Sequence, residues 1–297
     1  KKYGDGSYDV YQKFQKKLLD ALSQAPSQLK RQQYRLRLAK VYMSYERPFE
    51  VLMMMDNMPK DPETGMIVDT SARILSGAAN VMIGRPQEAL PFLTETSENF
   101  EKDRQLWLAA ALEQTDQDEA ALDLYEEYID AADSYPKHLV QEIYTSYGRL
   151  LLRQERLSDL KQLMEQMSTK MRQANLPAEA LMLLAKAAII ERNDGLAETL
   201  LAQAASSDNQ EVSFLAQYEF VSFLLSRGDL GVKQAIEHLE NLRYLWRGGF
   251  VEEQILKKLG YMYVSRGEQR KGLERLKYHN IYFPYAESSS EITELMM

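Results

Sequence analysis

Apolar residues recur along nearly the whole chain at spacings of three and four residues, and no convincing run alternates apolar and polar positions as a half-buried strand does. Leu, Ala, Glu, Gln, Met and Arg dominate these segments, and all six suit helix. One amphipathic helix is predicted over residues 9–25, ending before Pro26. The pattern therefore predicts an all-α fold.

A segment near the C-terminal end indicates how two such helices meet. It contains, in order, Leu259-Gly260-Tyr261-Met262-Tyr263, then Gly267, Gly272, Leu276 and Pro284. Gly260 allows two helices to approach closely, Tyr263 packs between them, and Gly267 permits a tight turn. This arrangement resembles the tetratricopeptide repeat (TPR), a pair of helices joined by a short turn. Gly272 stands where that family usually has Ala, which weakens the second helix.

The same frame recurs upstream at intervals of 32 to 39 residues. The anchor positions of the first helices are Ala39, Gly77, Ala109, Gly148, Ala185, Val221 and Gly260. Twelve residues later, or fourteen in the sixth unit, come Val51, Ala89, Ala121, Leu160, Ala197, Ala235 and Gly272. The resemblance covers residues 30–284 and implies a right-handed α-solenoid of about seven TPR-like helix-turn-helix repeats. Residues 1–29 are predicted to form a leading helix from a truncated repeat, and residues 285–297 a C-terminal helix or linker.

In this family the first helix of each pair lines a concave face, through the residues three before, one after and four after the anchor. Lys40, Met43, Ile74 and Ala78 are such positions in the first two repeats. The resemblance implies a partner-binding surface formed by Arg149, Met182, Lys186, Tyr218, Ser222, Lys257 and Tyr261. The inward Lys and Asn residues that grip the tails of heat-shock chaperones are missing, so a chaperone-tail clamp is not expected.

Charge is distributed unevenly along the chain. Residues 95–133 contain 13 acidic and 2 basic residues, whereas residues 11–47 contain 9 basic and 2 acidic residues. The acidic segment is interpreted either as a solvated helix face or as a docking surface for a basic partner. Its candidate docking residues are Asp123, Glu126, Glu127 and Asp130.

Composition excludes several classes of protein. The chain has 297 residues and no Cys, which removes disulfides, thiolate metal sites and Cys nucleophiles. A net charge of -8 argues against broad nucleic-acid binding. The longest apolar stretch, residues 180–190, is too short for a bilayer-spanning helix, so no membrane contact is expected within this fragment.

Motifs of enzymes and metal sites are missing from the sequence. His138, His238 and His279 have no second ligand at metal-like spacing, and no cofactor or metal is expected. Carboxylate pairs such as 126–127 and 252–253 leave one enzyme alternative open, a helical-toroid carbohydrate-active enzyme. An RNA-binding helical-repeat protein is the second alternative, although its inner face should be basic.

The favoured function is a non-enzymatic scaffold for protein-protein interaction that supports assembly of a multiprotein complex. Expected partners are other proteins, including a second copy of the chain, and not nucleic acid. The chain begins Lys1-Lys2-Tyr3 without Met, so it is expected to be part of a longer or processed protein. Similar arrays occur in bacterial envelope-assembly and exopolysaccharide-export proteins, which suggests the periplasm, with the cytoplasm as the alternative.

Overall fold

The computed structural model describes residues 8–94, 100–171, 176–286 and 288–296. Within these ranges the regular structure is sixteen α-helices, one 3-10 helix and one isolated β-bridge between Lys60 and Ile67. The all-α prediction is therefore confirmed. Over the same ranges no helix is long and apolar enough to cross a bilayer. Residues 1–7 of the leading segment, 95–99 of the acidic segment and 287 and 297 of the tail lie outside the description.

The chain divides into two compact units, Lys1–Leu176 and Pro177–Met297. The helices of unit 1 are α1 (Tyr8–Ser23), α2 (Gln28–Met43), α3 (Pro48–Met55), α4 (Thr70–Met82), α5 (Pro86–Thr94), α6 (Glu101–Glu113), α7 (Asp118–Tyr128), the 3-10 helix (Ile129–Ser134), α8 (Lys137–Arg153) and α9 (Leu157–Met171). Those of unit 2 are α10 (Ala178–Ile190), α11 (Asp194–Ala205), α12 (Gln210–Arg227), α13 (Val232–Leu245), α14 (Gly249–Ser265), α15 (Gln269–Tyr282) and α16 (Ser288–Met296).

The helices pack in adjacent pairs. In unit 1 the pairs are α2/α3, α4/α5, α6/α7 and α8/α9, and in unit 2 they are α10/α11, α12/α13 and α14/α15. The first helices of successive pairs also contact one another, α2 to α4 to α6 to α8 in unit 1 and α10 to α12 to α14 in unit 2. Such stacking covers the apolar stripe that a single helix pair leaves open, so neighbouring pairs share one core.

The turn inside each of these pairs has the same backbone geometry. Seven residues after each anchor, one residue has a positive φ of 53° to 81°, namely Glu46, Gly84, Asp116, Glu155, Arg192, Gly228 and Gly267. The next residue donates its N–H to the carbonyl three residues after the anchor, as in Arg85 N to Asn80 O (2.9 Å) and Glu268 N to Tyr263 O (2.9 Å). A left-handed residue followed by a hydrogen bond that spans five residues is the pattern of a Schellman motif, which ends a helix. Three of the seven are the glycines that this conformation favours, and four carry side chains.

Replacing a turn residue that has a positive φ and a side chain by Gly is expected to stabilise the helix pair that contains it, as at Glu155 in unit 1. Glu155 is exposed at φ 53°, and the left-handed region is unfavourable for a residue with a Cβ. Glu155→Gly should therefore raise the free energy of unfolding by about 0.5 to 1 kcal/mol, measured by urea unfolding. As a control of opposite sign, Gly267→Ala at φ 81°, where a Cβ meets nothing within 4 Å, should lower it by about 1 kcal/mol. Changes of the same sign in both variants would contradict this account of the turns.

The anchor positions lie where paired helices meet. The second-helix positions Val51, Ala89, Ala121, Leu160, Ala197 and Ala235 are fully buried, as are the first-helix positions Ala39, Ala109 and Ala185. Gly77 and Gly148 are buried too. The exception is Val221, which is only partly buried, because Ala216 and Phe223 face the core of unit 2 from α12. This interval is also the one that departs from the twelve-residue offset.

Two glycines bring α14 and α15 together. A Cβ on Gly272 would lie 2.8 Å from the carbonyl oxygen of Gly260 and 3.0 Å from the backbone nitrogen of Val264. A Cβ on Gly260 would lie 2.4 Å from Leu276 Cδ2. The predicted close approach at Gly260 is confirmed. The interpretation of Gly272 as a weakening departure from Ala is incomplete, because this backbone contact leaves no room for the Ala methyl group.

Candidate partner-binding surfaces

The first helices of unit 1 line an apolar groove, here called the unit 1 groove, with a volume of about 220 Å³. Four of its residues, Lys40, Met43, Ile74 and Ala78, hold positions that the TPR resemblance assigns to the inner face. The remaining lining residues are Ser71, Leu75, Phe100, Asp103, Trp107, Tyr135 and Leu139. A groove of this kind offers apolar area for a partner side chain and a few polar groups to orient it.

Aromatic side chains form the wall of the unit 1 groove on the α6 side. Trp107 and Tyr135 stack with ring centroids 6.3 Å apart, and the Tyr135 hydroxyl donates a hydrogen bond to Asp103 Oδ1 at 2.7 Å. Burial, reinforced by the Asp103 carboxylate, raises the pKa of Tyr135 well above its ordinary value. The hydroxyl therefore stays neutral and keeps Asp103 in place. Phe100 is 54% exposed beside this wall.

The beginning of α8 contacts the end of α2. His138 Nε2 lies 3.0 Å from the carbonyl oxygen of Met43, and His138 Nδ1 lies 3.8 Å from Glu46 Oε1. Leu139, the next residue, lines the unit 1 groove together with Met43. His138, which the sequence left without a role, therefore connects two helices 95 residues apart.

A buried ionic network lies between α6 and α8. The Glu113 side chain is 2% exposed and accepts hydrogen bonds from Ser146 Oγ (2.8 Å), Arg149 Nη2 (2.9 Å) and Arg153 Nη1 (2.7 Å). The Tyr125 hydroxyl donates to Ser146 Oγ at 2.7 Å. Burial by itself would raise the pKa of Glu113, but the hydrogen bonds and charge of Arg149, with Arg153 and Ser146, hold it below the ordinary value. Arg149, predicted to contact a partner, is thus engaged within the chain.

The remaining predicted partner-binding residues lie in unit 2, and one of them is part of the core. Met182 is 6% exposed and packs with Ala178, Ala204 and Ala216. It cannot offer surface to a partner without repacking, so we remove it from the set. The reason is that α10 packs against α11 and α12 at this point, and the stacking of pairs buries the inward residue.

The other five, Lys186, Tyr218, Ser222, Lys257 and Tyr261, are partly exposed on α10, α12 and α14 and are here called the unit 2 face. Lys186 pairs with Glu219 at 3.1 Å. Lys258, which does not hold one of the family's inward positions, donates to Ser222 Oγ at 2.7 Å, and its Nζ lies 5.4 Å from the centre of the Tyr218 ring. Burial lowers the pKa of Lys258, an effect that the Glu219 carboxylate opposes. Tyr218, Ser222 and Lys258 therefore form one cluster.

Helix α16 covers the other end of the unit 2 face. The Tyr261 hydroxyl donates to Glu291 Oε1 at 3.0 Å, and Lys257 Nζ lies 4.0 Å from Glu291 Oε2. Ile292 is fully buried, and the buried His279 contacts Ser288 Oγ through Nε2 at 3.2 Å. The tail predicted as a helix or linker is thus a docked helix whose Glu291 meets two of the predicted partner-binding residues.

Three residues missed on these surfaces share one sequence offset. Leu75, Trp107 and Lys258 each lie two residues before an anchor, a position that the family offsets of three before, one after and four after leave out. A helix turns about 100° per residue, so positions −2 and −3 border the same edge of its inner surface. This offset is the signal that could have identified them.

The two tyrosines of the unit 2 face should respond differently to truncation. Tyr218 packs against the buried cluster around Leu259, so Tyr218→Ala should lower the free energy of unfolding by about 1 to 2 kcal/mol. Tyr261→Ala removes the bond to Glu291 and should instead speed amide exchange in α16. Tyr285→Ala, at a side chain that is 99% exposed, is the matched control and should change neither. Equal melting losses in all three variants would contradict these assignments.

Part of the acidic segment is paired with basic residues of the next helix pair. Glu126 bonds Arg156 at 2.6 Å, Lys170 contacts Asp133 and lies 3.7 Å from Asp130, and Arg153 bonds Asp118 at 2.7 Å. Among the described residues, Asp123 and Glu127 are exposed and make no ion pair. Of the four predicted docking residues, only these two keep an uncompensated charge.

Among the described residues, no group of three or more His, Cys, Asp or Glu side chains is arranged to hold a metal ion. No protein-family model matches the chain, and no curated protein is significantly similar to it.

Proposed function

We propose that the chain is a non-enzymatic protein-protein interaction scaffold, built as a right-handed α-solenoid of about seven TPR-like repeats. The observation that carries the proposal is the recurrence of one turn geometry in successive helix pairs whose first helices stack side by side. Within each unit, such stacking leaves a face of neighbouring first helices, which is the surface that repeat proteins present to partners. Partner segments bind along this face and are held there for assembly of a multiprotein complex.

The unit 1 groove is the strongest anchor point on that face. Its aromatic wall and the apolar side chains of α4 fit one bulky apolar side chain of a helical or extended partner segment. Lys40 and Asp103 at its border provide one charge of each sign, which fixes the orientation of the segment. Binding energy concentrates in a few such desolvated contacts.

Site-specific photo-crosslinking in the native cell tests the proposal. A benzophenone side chain replaces Lys40 in the unit 1 groove or Lys186 on the unit 2 face, and the exposed Lys277 of α15 in the control. We expect protein adducts of discrete mass from Lys40 or Lys186 that are missing from Lys277. Adducts to RNA, or the same adducts from all three positions, would overturn the assignment of a partner-binding face.

The carbohydrate-active enzyme needs a carboxyl group that stays protonated near neutral pH to act as a general acid. Glu113, enclosed on the first-helix side of unit 1, has a lowered pKa and two arginine partners, the opposite of that requirement. The RNA-binding alternative needs a basic inner surface. Asp103 and Glu219 beside the proposed binding faces disfavour a phosphate backbone. Both arguments support the scaffold.

We also propose a second copy of the chain as a partner, held by attraction between acidic residues of one copy and basic residues of the other. Among the described residues, Asp123 and Glu127 are the two predicted docking residues without an ion pair, and Lys16, Lys17 and Arg31 are exposed on α1 and α2. Reversing Asp123 and Glu127 to Lys should weaken self-association at low salt, measured by sedimentation equilibrium. Reversing Glu126 and Asp130 instead, which already have intrachain partners, should have the smaller effect. If self-association changes neither with these reversals nor with salt, the acidic residues contribute only to solubility.

The bacterial periplasm is the proposed compartment, with the cytoplasm as the alternative. The support is the lack of Cys, which suits an oxidising compartment without requiring disulfides. A fusion of the full-length gene product to alkaline phosphatase, which is active only after export, tests this placement. An inactive but stable fusion would favour the cytoplasm.

A further inference from the structure

Another cavity of unit 1, with a volume of about 570 Å³, lies between the second helices α3 and α5. Helix α4 and the segment that connects α3 to α4 complete its lining. It shares no lining residue with the unit 1 groove. Its volume is in the range of cavities that bind small molecules. It is here called the Asn80 pocket, after the buried amide in its lining.

The segment that connects α3 to α4, residues 56–69, forms one wall of the Asn80 pocket. It is the longest link between the helix pairs named above, and its two arms are joined by the bridge between Lys60 and Ile67. Asp61 closes the turn between the arms, since its Oδ1 accepts from the Thr64 backbone N–H at 2.8 Å. Links of this length inside a compact domain are uncommon and are usually functional. The wall is therefore an ordered part of the cavity.

The surface inside the Asn80 pocket is mainly apolar. Two phenylalanines and three methionines contribute to it, namely Phe49, Met53, Met55, Met66 and Phe92. Phe49 and Met53 are each 61% exposed, so apolar side chains reach the mouth of the cavity as well as its interior. Methionine adapts its shape to a neighbour and makes favourable contacts with aromatic rings. This lining suits a ligand with an apolar and partly aromatic body.

The charged residues that line the Asn80 pocket balance one another. Asp56 and Glu88 are negative, Lys60 and Arg85 are positive, and all four are exposed at the rim. Arg85 Nη1 lies 3.5 Å from Glu88 Oε2, so one charge of each sign is already paired. An ion that entered the apolar interior would lose its water without meeting a net opposite charge. The pocket therefore favours a neutral ligand.

One acceptor in this apolar lining lacks a donor. Asn80 is 4% exposed, and its Nδ2 donates to the Ser76 carbonyl oxygen at 3.0 Å, which distinguishes the nitrogen of the amide from its oxygen. Within the described ranges, Asn80 Oδ1 accepts no hydrogen bond. Buried polar atoms nearly always have a hydrogen-bond partner, and leaving one unpaired is unfavourable. A ligand with an N–H or O–H group at this point would supply the missing donor.

We propose that the Asn80 pocket binds a neutral small molecule with a mainly apolar body and one N–H or O–H donor, which bonds Asn80 Oδ1. The balanced rim selects against ions, the phenylalanines and methionines contact the body, and the buried acceptor selects the donor. The pocket lies between second helices, whereas the scaffold function uses the faces of first helices. The two proposals therefore succeed or fail independently.

The probe is N-phenyl-1-naphthylamine, a neutral apolar molecule with one N–H group, whose fluorescence rises when it leaves water. The full chain is titrated into the probe, and we expect saturable binding with a Kd below about 0.1 mM. The N-methyl derivative has no N–H and should bind about tenfold more weakly, because it leaves the buried acceptor unpaired. The anionic analogue 8-anilino-1-naphthalenesulfonate, which keeps the N–H, should bind several-fold more weakly than the probe.

Variants of the lining locate the bound probe. Asn80→Leu keeps the approximate shape of the side chain without its acceptor, so it should bind the probe and the N-methyl derivative equally. Phe49→Ala and Met53→Ala, both at exposed side chains, should weaken both ligands several-fold. Val68→Ala, at a side chain that is 61% exposed outside the lining, and Phe100→Ala in the unit 1 groove are the controls and should leave binding unchanged.

Three results would overturn the proposal, provided that melting curves show each variant to be folded. The first is equal affinity of the parent chain for the probe and its N-methyl derivative, or a preference for the probe that persists in Asn80→Leu. The second is tighter binding of the sulfonate than of the probe, since the site would then take an anion. The third is a loss in Phe100→Ala as large as that in Phe49→Ala, which would place the probe in the unit 1 groove.

Discussion

Gly272→Ala is expected to lower the free energy of unfolding of unit 2 by about 2 to 3 kcal/mol, the upper range for overpacking a close contact. The added methyl would lie 2.8 Å from the Gly260 carbonyl oxygen and 3.0 Å from the Val264 nitrogen. Both are backbone atoms, so α14 and α15 have to separate. Gly260→Leu should cost a similar few kcal/mol, because its Cβ already overlaps Leu276.

The control for this prediction is Gly195→Ala in α11. A Cβ at Gly195 meets nothing within 4 Å and Gly195 is exposed, so Ala should stabilise that helix by up to about 1 kcal/mol. Urea unfolding of both variants gives the comparison. If Gly272→Ala is as stable as the parent chain, the two helices do not approach as closely as described, and the anchor frame for this pair is wrong.

Glu113→Gln is expected to destabilise unit 1 by about 3 to 5 kcal/mol, the range for breaking a buried ion pair. The carboxylate is 2% exposed and holds Arg149, Arg153 and Ser146 at once. Replacing it removes the carboxylate that pairs with Arg149 and leaves Arg153 paired only with Asp118. For the same reason Arg149→Ala should lower the melting temperature of unit 1.

The loss of stability caused by Glu113→Gln should also depend on pH. Burial opposes ionisation of Glu113, but its arginine partners dominate and lower its pKa in the folded state. A carboxyl with a lowered folded pKa contributes stability above its unfolded pKa of about 4.3 and loses it as the pH falls through the folded value. The difference between parent and Glu113→Gln should therefore be full at neutral pH and shrink below about pH 4. Asp123→Asn, at an exposed carboxylate, is the control and should show little difference. A difference in the free energy of unfolding between parent and Glu113→Gln that does not change with pH would contradict an ionised Glu113.

The local architecture was readable from sequence because it depends on short separations. An anchor and its partner are twelve residues apart, and both must be small where two helix backbones meet, so Ala109 with Ala121 and Ala185 with Ala197 were identifiable. The same logic located the turn glycine Gly267. It missed Glu155 and its equivalents, because a helix end imposes the left-handed conformation on a side-chain residue without a compositional signal.

The surfaces, in contrast, were decided by the stacking of one helix pair on the next. Stacking buried Met182, joined Arg149 and Arg153 to Glu113, and matched Arg156 with Glu126 thirty residues away. It also assembled the unit 1 groove from separate helices. The periodicity of apolar residues in the sequence predicts which face of each helix is apolar. It does not predict how far one helix pair is rotated and shifted relative to the next. That rotation and shift determine which charges meet, so only the tertiary structure could distinguish a free acidic face from a paired one.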